Sequence, residues 1–567
     1  MNHLALTEMI SEMKSSYVES IQEEKERHFN FVLVGKKRKW DVCIYFPLRF
    51  PYCLPKSELL NRELIGTLAH IDQTGTICIE ESDTVFADFT RPSDIVCKFI
   101  KDVVRFLDRV SLKIYQDELL DELEGYYQPD KSINSFYHAK DKAETVYLRV
   151  MEREGKKGPT HAIPVVICGR DQPLPRQFSN VKQLGQYRAT KILHLPLEAA
   201  VLPPQGGKIF SSQYFTTLLD YISEQNKKRV NKLVKQCRSF NMFYVLLTMP
   251  RTNGERTQFL LKFSADHHLT HPIVEHSDDW KIELFSISRN SKEYLLERGG
   301  GEVLLSNKKV AVVGCGSVGS QVANMLAKAG VGELVLVDPD FLSADNIYRH
   351  NLGGRELNYE ANNKTGSVGA WYKVNALSYK LQRDLPYIKV SAKPMNLAEV
   401  INDKDLVNCD VIVVAVGAPS VNLQINQALK DRNFNNVVFS WNEAAGIGGH
   451  SIALNLQISC YQCLHTEDNQ LKAQSELSLV CVGQAISKNL TGCAGVFTPF
   501  SFLDSNRTAE LAATQAIDIL LTNTTELAIS WKGNNSANLE TTDRYATMAL
   551  KEQVPLKPNP HCRVCND

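Results

Sequence analysis

The sequence predicts a multidomain α/β protein: a small α+β domain first, an α/β domain in the middle and a doubly wound α/β domain last. Three observations carry this. The chain has 567 residues, too many for one compact core, and about three domains are expected. Short apolar runs separated by turns fill the first ~125 residues after a helical start. From Lys308 the pattern becomes strand–helix–strand, "KKVAVVGCGSVGSQVANMLAKAGVGELVLVDPD", and strands alternating with helices build parallel sheets.

Composition narrows the function classes. At 43% hydrophobic and 23% charged, the chain reads as an ordinary soluble protein. A formal net charge of 0 argues against a dedicated nucleic-acid or membrane-surface binder. "MNHLALTEMISEMKSSYVES" lacks the apolar core of a leader peptide. No run approaches the roughly 18 apolar residues of a membrane span. The 14 cysteines then read as free thiols, metal ligands or catalysts in a reducing cytoplasm.

The elements follow in order. Residues 5–28 carry helical periodicity, and "FNFVLVG", "KWDVCIYFPLRF" and "GTICIEES" read as strands. "DIVCKFIKDVVRFLDRV" is an amphipathic helix, and the polar stretch "EGYYQPDKSINSFYHAKDKAE" marks the end of a domain spanning 1–125. Residues 126–285 hold the strands "HAIPVVICG" and "MFYVLLTMP" and the helical "YFTTLLDYISEQNKKRVNKLVKQC". This middle α/β segment carries no motif with assignable chemistry. "ISRNSKEYLLERGGG" is a helix stopped by three glycines, and it opens the last domain, 286–567.

Gly314, Gly316 and Gly319 form G-x-G-x-x-G between a strand and a helix. Glycines permit close backbone approach to phosphate, and the helix N-terminus presents unpaired N–H groups to the anion. Asp338 ends the next strand about 20 residues on, where a carboxylate accepts ribose hydroxyls. The motif fits a dinucleotide oxidoreductase or an ATP enzyme. Cys460 with Cys463, and Cys562 with Cys565, form two C-x-x-C pairs. Either pair alone fits a redox couple; together they suit tetrahedral Zn²⁺ in a structural site. Cys78, in "HIDQTGTICIEES", and Cys493, in "TGCAGVFTP", are each a packed cysteine or a nucleophile. Cys481, among apolar neighbours, competes with Cys493.

The continuation "VDPDFLSADNIYRHNL" resembles the D-x-D…N-x-x-R signature of ubiquitin-activating and bacterial ThiF/MoeB adenylating enzymes. The resemblance implies a Rossmann-like adenylating domain that binds ATP and Mg²⁺. It assigns Asp338 to the ribose and Asn346, Arg349 and Lys373 to the phosphates, with Lys364 in reserve. His350 stands where the family keeps glutamine. Gly417 stands where the family keeps an Asp for Mg²⁺, which leaves Asp340 as the carboxylate. The paired cysteines recur in that family as a zinc site, and a loop in the region of Cys493 carries the acyl-accepting cysteine of ubiquitin-activating enzymes.

"FPYCLPKS" followed by "HIDQTGTIC" resembles the Y-P-x-x-P-P and N-I-D-x-x-G-x-I-C segments of ubiquitin-conjugating enzymes. This makes Cys78 a nucleophile and puts His70 where the family has an asparagine that steadies the oxyanion. The chain as a whole resembles the fused ubiquitin-transferase-like proteins of CBASS antiphage operons. That resemblance implies adenylation of a protein C-terminus, thioesters on Cys493 and then Cys78, and transfer to lysine amines. The implied activated partner is a cGAS-like cyclic-oligonucleotide synthase. A homodimer is implied too, with Arg289 or Arg298 reaching the partner's ATP. A sulfur-carrier adenylyltransferase and an NAD-dependent oxidoreductase are the alternatives.

Overall fold

The computed structural model of the protein describes all residues except 14, 80–87, 113–114, 152–164, 170–171, 173–186, 238–241, 363–366, 491–495 and 567. The described chain divides into two compact units, one built from residues up to Ser291 and the other from Lys292 onward.

The first unit opens with helix α1 (His3–Ser11), whose Asn2 cap accepts from Ala5 N at 2.9 Å. An antiparallel sheet follows in simple order: β1 (Val18–Lys25), β2 (His28–Val34), β3 (Lys39–Tyr45), β4 (Lys56–Leu59) and β5 (Thr76–Ile77). The helical periodicity expected through residue 28 therefore ends early. Val18 and Ile21 are the half-buried residues of β1, and their spacing of three imitates a helix face. A register shift between Val18 and Ser20 inserts an extra residue, which lets residues three apart face the same side of a strand.

Helix α2 (Pro92–Val110) buries Ile95, Val96, Ile100, Val103, Val104 and Leu107 in the same apolar cluster as the sheet. Each such side chain contributes about 1.5–3 kcal/mol. Two short helices, α3 (Gln116–Asp121) and α4 (Leu123–Tyr127), complete this layer.

The rest of the first unit is a closed barrel. Its strands are β6 (Ser132–Ser135), β7 (Glu144–Met151), β8 (Val165–Cys168), β9 (Tyr187–Pro196), β10 (Met242–Pro250), β11 (Arg256–Ser264) and β12 (Lys281–Arg289), ordered β10-β11-β12-β6-β8-β7-β9. β6 lies inside the polar stretch expected to separate domains. The single long helix expected after it is two, Ser212–Leu218 and Glu224–Leu233, because Ser223 caps a new start by accepting from Asn226 N at 3.2 Å. Alternate residues Leu193, Leu195, Val245, Leu247, Phe259 and Leu261 join the cluster under the first sheet, as strand period two requires.

The second unit is an eight-stranded sheet ordered β17-β14-β13-β18-β19-β20-β25-β26. These are β13 (Lys309–Val313), β14 (Glu333–Val337), β17 (Lys389–Lys393), β18 (Val411–Val414), β19 (Asn436–Asn442), β20 (Gly448–Asn455), β25 (Leu527–Lys532) and β26 (Lys551–Pro555). Short two-stranded ribbons decorate it: β15 (Asn358–Asn362) with β16 (Ser367–Ala370), β21 (Thr466–Glu467) with β22 (Gln470–Leu471), and β23 (Lys488–Asn489) with β24 (Val496–Phe497). Pairing is parallel from β17 to β19 and antiparallel from β19 to β26, so the sheet is mixed where a parallel one was expected. The short link from β19 to β20 explains this, since a parallel partner needs a crossover of a dozen residues or more. Helices Gly319–Ala329, Lys373–Asp384 and Phe502–Thr522 cover one face, and Pro419–Asp431 packs on the other. Among the described residues, no helix is long and apolar enough to cross a membrane.

Candidate adenylating and thiol sites

The strand order reverses at β13, with β14 on one side and β18 on the other. Ligands of open α/β sheets bind beyond the carboxyl ends of the strands at such a point. Gly314 sits there with φ of +84°, and a Cβ on it would lie 3.0 Å from the Ala415 carbonyl oxygen. Gly319 opens the following helix, and a Cβ on it would fall onto the Gly314 carbonyl oxygen. A glycine is therefore required at both positions. Ser320 N donates to the Gly316 carbonyl at 3.0 Å, starting the helix.

Asp338, at the end of β14, ties the loop together. Its Oδ2 accepts from Cys315 N at 2.7 Å and its Oδ1 from Asp340 N at 2.9 Å. Burial raises its carboxyl above the ordinary range. Lys373 begins the helix Lys373–Asp384, and its Nζ lies 2.7 Å from Asp340 Oδ2. Its backbone N also donates to the Asp340 carbonyl, at 2.9 Å. The lysine side chain is 11% exposed against 64% for Asp340, so the pair is a buried ammonium held by an open carboxylate. Phe341 and Tyr372 stack beside it, centroids 4.0 Å apart; the aromatic doublet in "AWYK" was the unread signal for this platform.

His350 is buried. Leu352 N donates to its Nδ1 at 3.0 Å, so its Nε2–H donates to the Cys315 carbonyl at 2.7 Å. Burial depresses its pKa to about 4. A side-chain donor on the glycine loop is thus supplied by a neutral histidine. Asn346 Oδ1 accepts from Ser343 N and Oγ, both at 3.1 Å, capping its own turn. Arg349 lies over the Phe500 ring at 4.7 Å. Gly417 follows β18, exposed, and a Cβ there meets nothing within 4 Å.

Four thiols meet at the edge of this unit. Cys460, Cys463, Cys562 and Cys565 offer sulfurs that all lie within 4.8 Å of one another. Three of the separations are 3.9, 3.7 and 3.6 Å. A tetrahedron of sulfurs about 2.3 Å from a central ion has edges of about 3.8 Å, so the set fits one metal ion. Asn559 N approaches Cys463 Sγ at 3.5 Å, and Asn559 Nδ2 donates to the carbonyls of Cys463 and Thr466. These contacts fix the C-terminal pair against the first pair.

In the first unit Cys78 is exposed. The chain reaches it through a tight hairpin. Asp72 Oδ1 accepts from Thr74 N at 2.9 Å, Thr74 Oγ1 at 2.6 Å, Gly75 N at 3.0 Å and Thr76 N at 2.9 Å. Cys78 N then donates to the His70 carbonyl at 2.8 Å, setting the two residues opposite one another. Both line a cavity of about 410 Å³ with Asp72, Asp121, Glu122 and Arg251. His70 has φ of +58°. Its Nδ1 lies 2.7 Å from Glu122 and its Nε2 3.1 Å from Glu118. The Glu122 hydrogen bond raises the imidazole pKa, and burial opposes it. Both ring nitrogens are thus engaged, which corrects the expectation that a His70 N–H faces an oxyanion. Glu118, Glu122 and Arg251 carried no distinguishing sequence signal.

Cys493 and Lys364 lie outside the described residues. Cys481 is half-buried, its N donating to the Glu540 carbonyl at 3.0 Å. Arg289 is ion-paired inside the first unit with Glu124 and, at 3.5 Å, with Glu255. That removes it from the two arginines considered for another subunit's nucleotide; Arg298 ends an exposed helix turn.

A glycine loop at the switch point, an aspartate closing it and a lysine paired with Asp340 together make a nucleotide-binding type of site. Residues 292–564 match the ThiF family, and this C-terminal region is a ThiF-family domain. The chain is similar to the ATP-dependent ubiquitin transferase-like protein Cap2 of Pseudomonas aeruginosa, 27% identical over 42% of this chain and 41% of that protein. It is similar to Cap2 of Escherichia coli at 25% identity over 50% of this chain and 43% of that protein. The matched part spans less than half the length of these relatives. The adenylyltransferase and sulfurtransferase UBA4 of Candida glabrata is 25% identical over 34% of this chain and 42% of its own length. Among solved structures, E. coli MccB with ATP covers 46% of this chain and 68% of that chain at 18% identity, with a TM-score of 0.32.

Proposed function

We propose that the protein is an ATP-dependent ubiquitin-transferase-like enzyme that couples adenylation to thioester transfer. The observation that supports this most is an exposed cysteine, Cys78, opening into its own cavity in a chain that also carries a ThiF-family domain. An adenylating domain alone has no use for a second cysteine of this kind. Residues 1–125 serve as the conjugating domain, 126–285 as the middle domain and 286–567 as the activating domain.

The chemistry runs in order. A carboxylate oxygen of a protein C-terminus attacks the α-phosphorus of ATP, and the bond to pyrophosphate breaks. The glycine-loop N–H groups, Lys373 and Arg349 stabilise the charge that moves onto the phosphates, and Asp338 receives the ribose. Asp340 would hold Mg²⁺, which supplies charge neutralisation on the phosphates. The Cys493 thiolate then attacks the acyl carbonyl and AMP leaves. Cys78 attacks the resulting thioester and the Cys493 thiolate leaves. An amine finally takes the acyl group from Cys78. A thiol suits both relays because it attacks an acyl adenylate and conserves the energy as a thioester. The four clustered cysteines hold a structural Zn²⁺, pinning the C-terminal tail.

The sequence resemblance to the fused transferase-like proteins of antiphage operons leads us to take, as substrate, the C-terminus of a cGAS-like cyclic-oligonucleotide synthase, with lysines as targets and a cytoplasmic homodimer as the working form; the Cap2 likeness supports the transferase class. The UBA4 likeness favours a second reading, a sulfur-carrier adenylyltransferase. One experiment separates them. The protein is incubated with ATP·Mg²⁺ and such a synthase, and wild type, Cys493→Ala and Cys78→Ala are compared on non-reducing gels. Thiol-sensitive adducts are expected, lost wholly in Cys493→Ala and retained at the first stage in Cys78→Ala. Pyrophosphate exchange without either adduct would leave the sulfur-carrier reading standing.

A further inference from the structure

The carboxyl groups lining the Cys78 cavity differ in what they face. Asp72 is taken up by four donors of its own turn. Asp121 accepts from the backbone N of Thr252 at 2.7 Å and from its hydroxyl. Glu124 faces Arg251 at 3.4 Å, Arg289, and Gln258 N at 2.6 Å. Amide, hydroxyl and guanidinium partners all lack a site that takes up a proton near neutral pH. Glu122 differs: its Oε1 meets His70 Nδ1 at 2.7 Å. Among the described lining carboxylates it is the one paired with a group that titrates near neutral pH. Glu118 holds the other ring nitrogen at 3.1 Å, so the ring cannot turn away.

We propose that the His70–Glu122 pair is the proton acceptor for the amine that attacks the acyl group on Cys78. This rests on the reading of Cys78 as an acyl carrier. In the step, the amine nitrogen bonds to the acyl carbonyl carbon and the carbon–sulfur bond breaks. The electron pair leaves on the Cys78 thiolate. Before the attack the arriving ammonium gives one proton to the Glu122 carboxylate at the cavity wall, whose Oε1 accepts from His70 Nδ1–H; the second proton, shed when nitrogen bonds to carbon, goes to the departing Cys78 thiolate. An asparagine at position 70 has no basic nitrogen and does not form this titrating pair.

The groups facing the ring come from every side. Glu118 and Glu122 lie along α3 and its end, Asp121 and Glu124 beside them, Asp72 on the hairpin and Arg251 on the barrel turn. The Phe106 ring of α2 stands 5.8 Å away, with the Arg109 guanidinium 5.4 Å from that ring's centroid. Glu122 contributes most to the raised imidazole pKa. The rate should therefore climb with pH above the ordinary histidine range, and lower down once Glu122 is neutral.

The test uses the full chain carrying Cys493→Ala. Cys78 is loaded by thiol exchange from the 2-mercaptoethanesulfonate thioester of acetylglycine, and loading is read by intact mass. Discharge is then timed with lysine, which arrives protonated, and with hydroxylamine, which arrives neutral. In Glu122→Gln and in His70→Asn, discharge to lysine at pH 7 should fall about 100-fold while hydroxylamine discharge stays near wild type. The rising limb of the lysine profile should also move to lower pH in Glu122→Gln. Hydroxylamine discharge doubles as the check that each variant is folded. Wild-type lysine discharge in Glu122→Gln, or equal loss for both nucleophiles, overturns this inference and leaves Cys78 as carrier. Absence of any adduct that Cys78→Ala removes overturns both.

Discussion

The guanidinium of Arg349 stands over the Phe500 ring at 4.7 Å and within 6.0 Å of Phe497. Those rings follow Cys493 by seven and four residues in the chain. The loop carrying the proposed phosphate clamp and the segment carrying the proposed acyl acceptor therefore share one contact. For Arg349 to reach phosphate, the guanidinium leaves the ring and gives up a cation–π attraction of about 0.5–1 kcal/mol.

Phe500→Ala removes that competitor. The KM for ATP in pyrophosphate exchange should drop about two- to fivefold, the equivalent of that energy. Arg349→Ala should lower kcat/KM on the order of 100-fold, since the charge it would stabilise develops in the transition state. A KM that rises in Phe500→Ala would place the ring on the side of ATP binding instead.

At Gly417, where the sequence resemblance places a metal-binding carboxylate, the structure has room for one. A Cβ there meets nothing within 4 Å. Gly417→Asp should leave the melting temperature within about 2 °C, as exposed substitutions do. If Asp340 is a sufficient but poorer carboxylate, the variant should reach half-maximal exchange at lower Mg²⁺. An unchanged Mg²⁺ titration would mean that no carboxylate is wanted at this position.

His350 makes acid stability a test of the glycine loop. Its folded pKa is depressed to about 4, below the unfolded value of roughly 6.5. Its contribution is present above pH 6.5 and fades as pH falls through 4, by about 3 kcal/mol at most. Buried His194 and His271, depressed to about 3 and about 4, add the same sign in the first unit. Melting curves at pH 7 and pH 5 should converge in His350→Gln relative to wild type, since glutamine keeps a donor for the Cys315 carbonyl without a titrating nitrogen. Equal acid sensitivity in both proteins would show that the histidine proton is not lost on folding.

What could be read from the sequence follows from how local each constraint is. The glycine loop was legible because Gly314 and Gly319 meet backbone atoms that exclude any Cβ. The hairpin of Cys78 was legible because Asp72, Thr74 and Gly75 form one turn within five residues. Lys373 was singled out by its distance from a following turn, and the fold brings its ammonium onto Asp340. The barrel was not legible. Its closure depends on β6, four residues in a polar stretch, pairing with β12 far along the chain. Glu122 was not legible either, being one of several acids in "YQDELLDELEGYY", distinguished by the imidazole it meets in the fold.

The four clustered cysteines close with the sharpest stability forecast. Cys562 and Cys565 come from the last residues of the chain, a hundred residues beyond Cys460 and Cys463. Without an ion, four sulfurs at contact distance gain little; with Zn²⁺, binding energy becomes folding energy. Purified protein should carry one zinc per chain by elemental analysis. Cys562→Ser should lose it and lower the melting temperature of the second unit by about 10 °C or more, and a strong chelator should do the same to wild type. Because the ligands sit on β20's exit and the C-terminal tail rather than on the glycine loop, ATP binding below the melting point should survive the substitution. If Cys562→Ser keeps its zinc, the four sulfurs are not the ligand set. If it loses zinc without loss of stability, the ion is not a structural one.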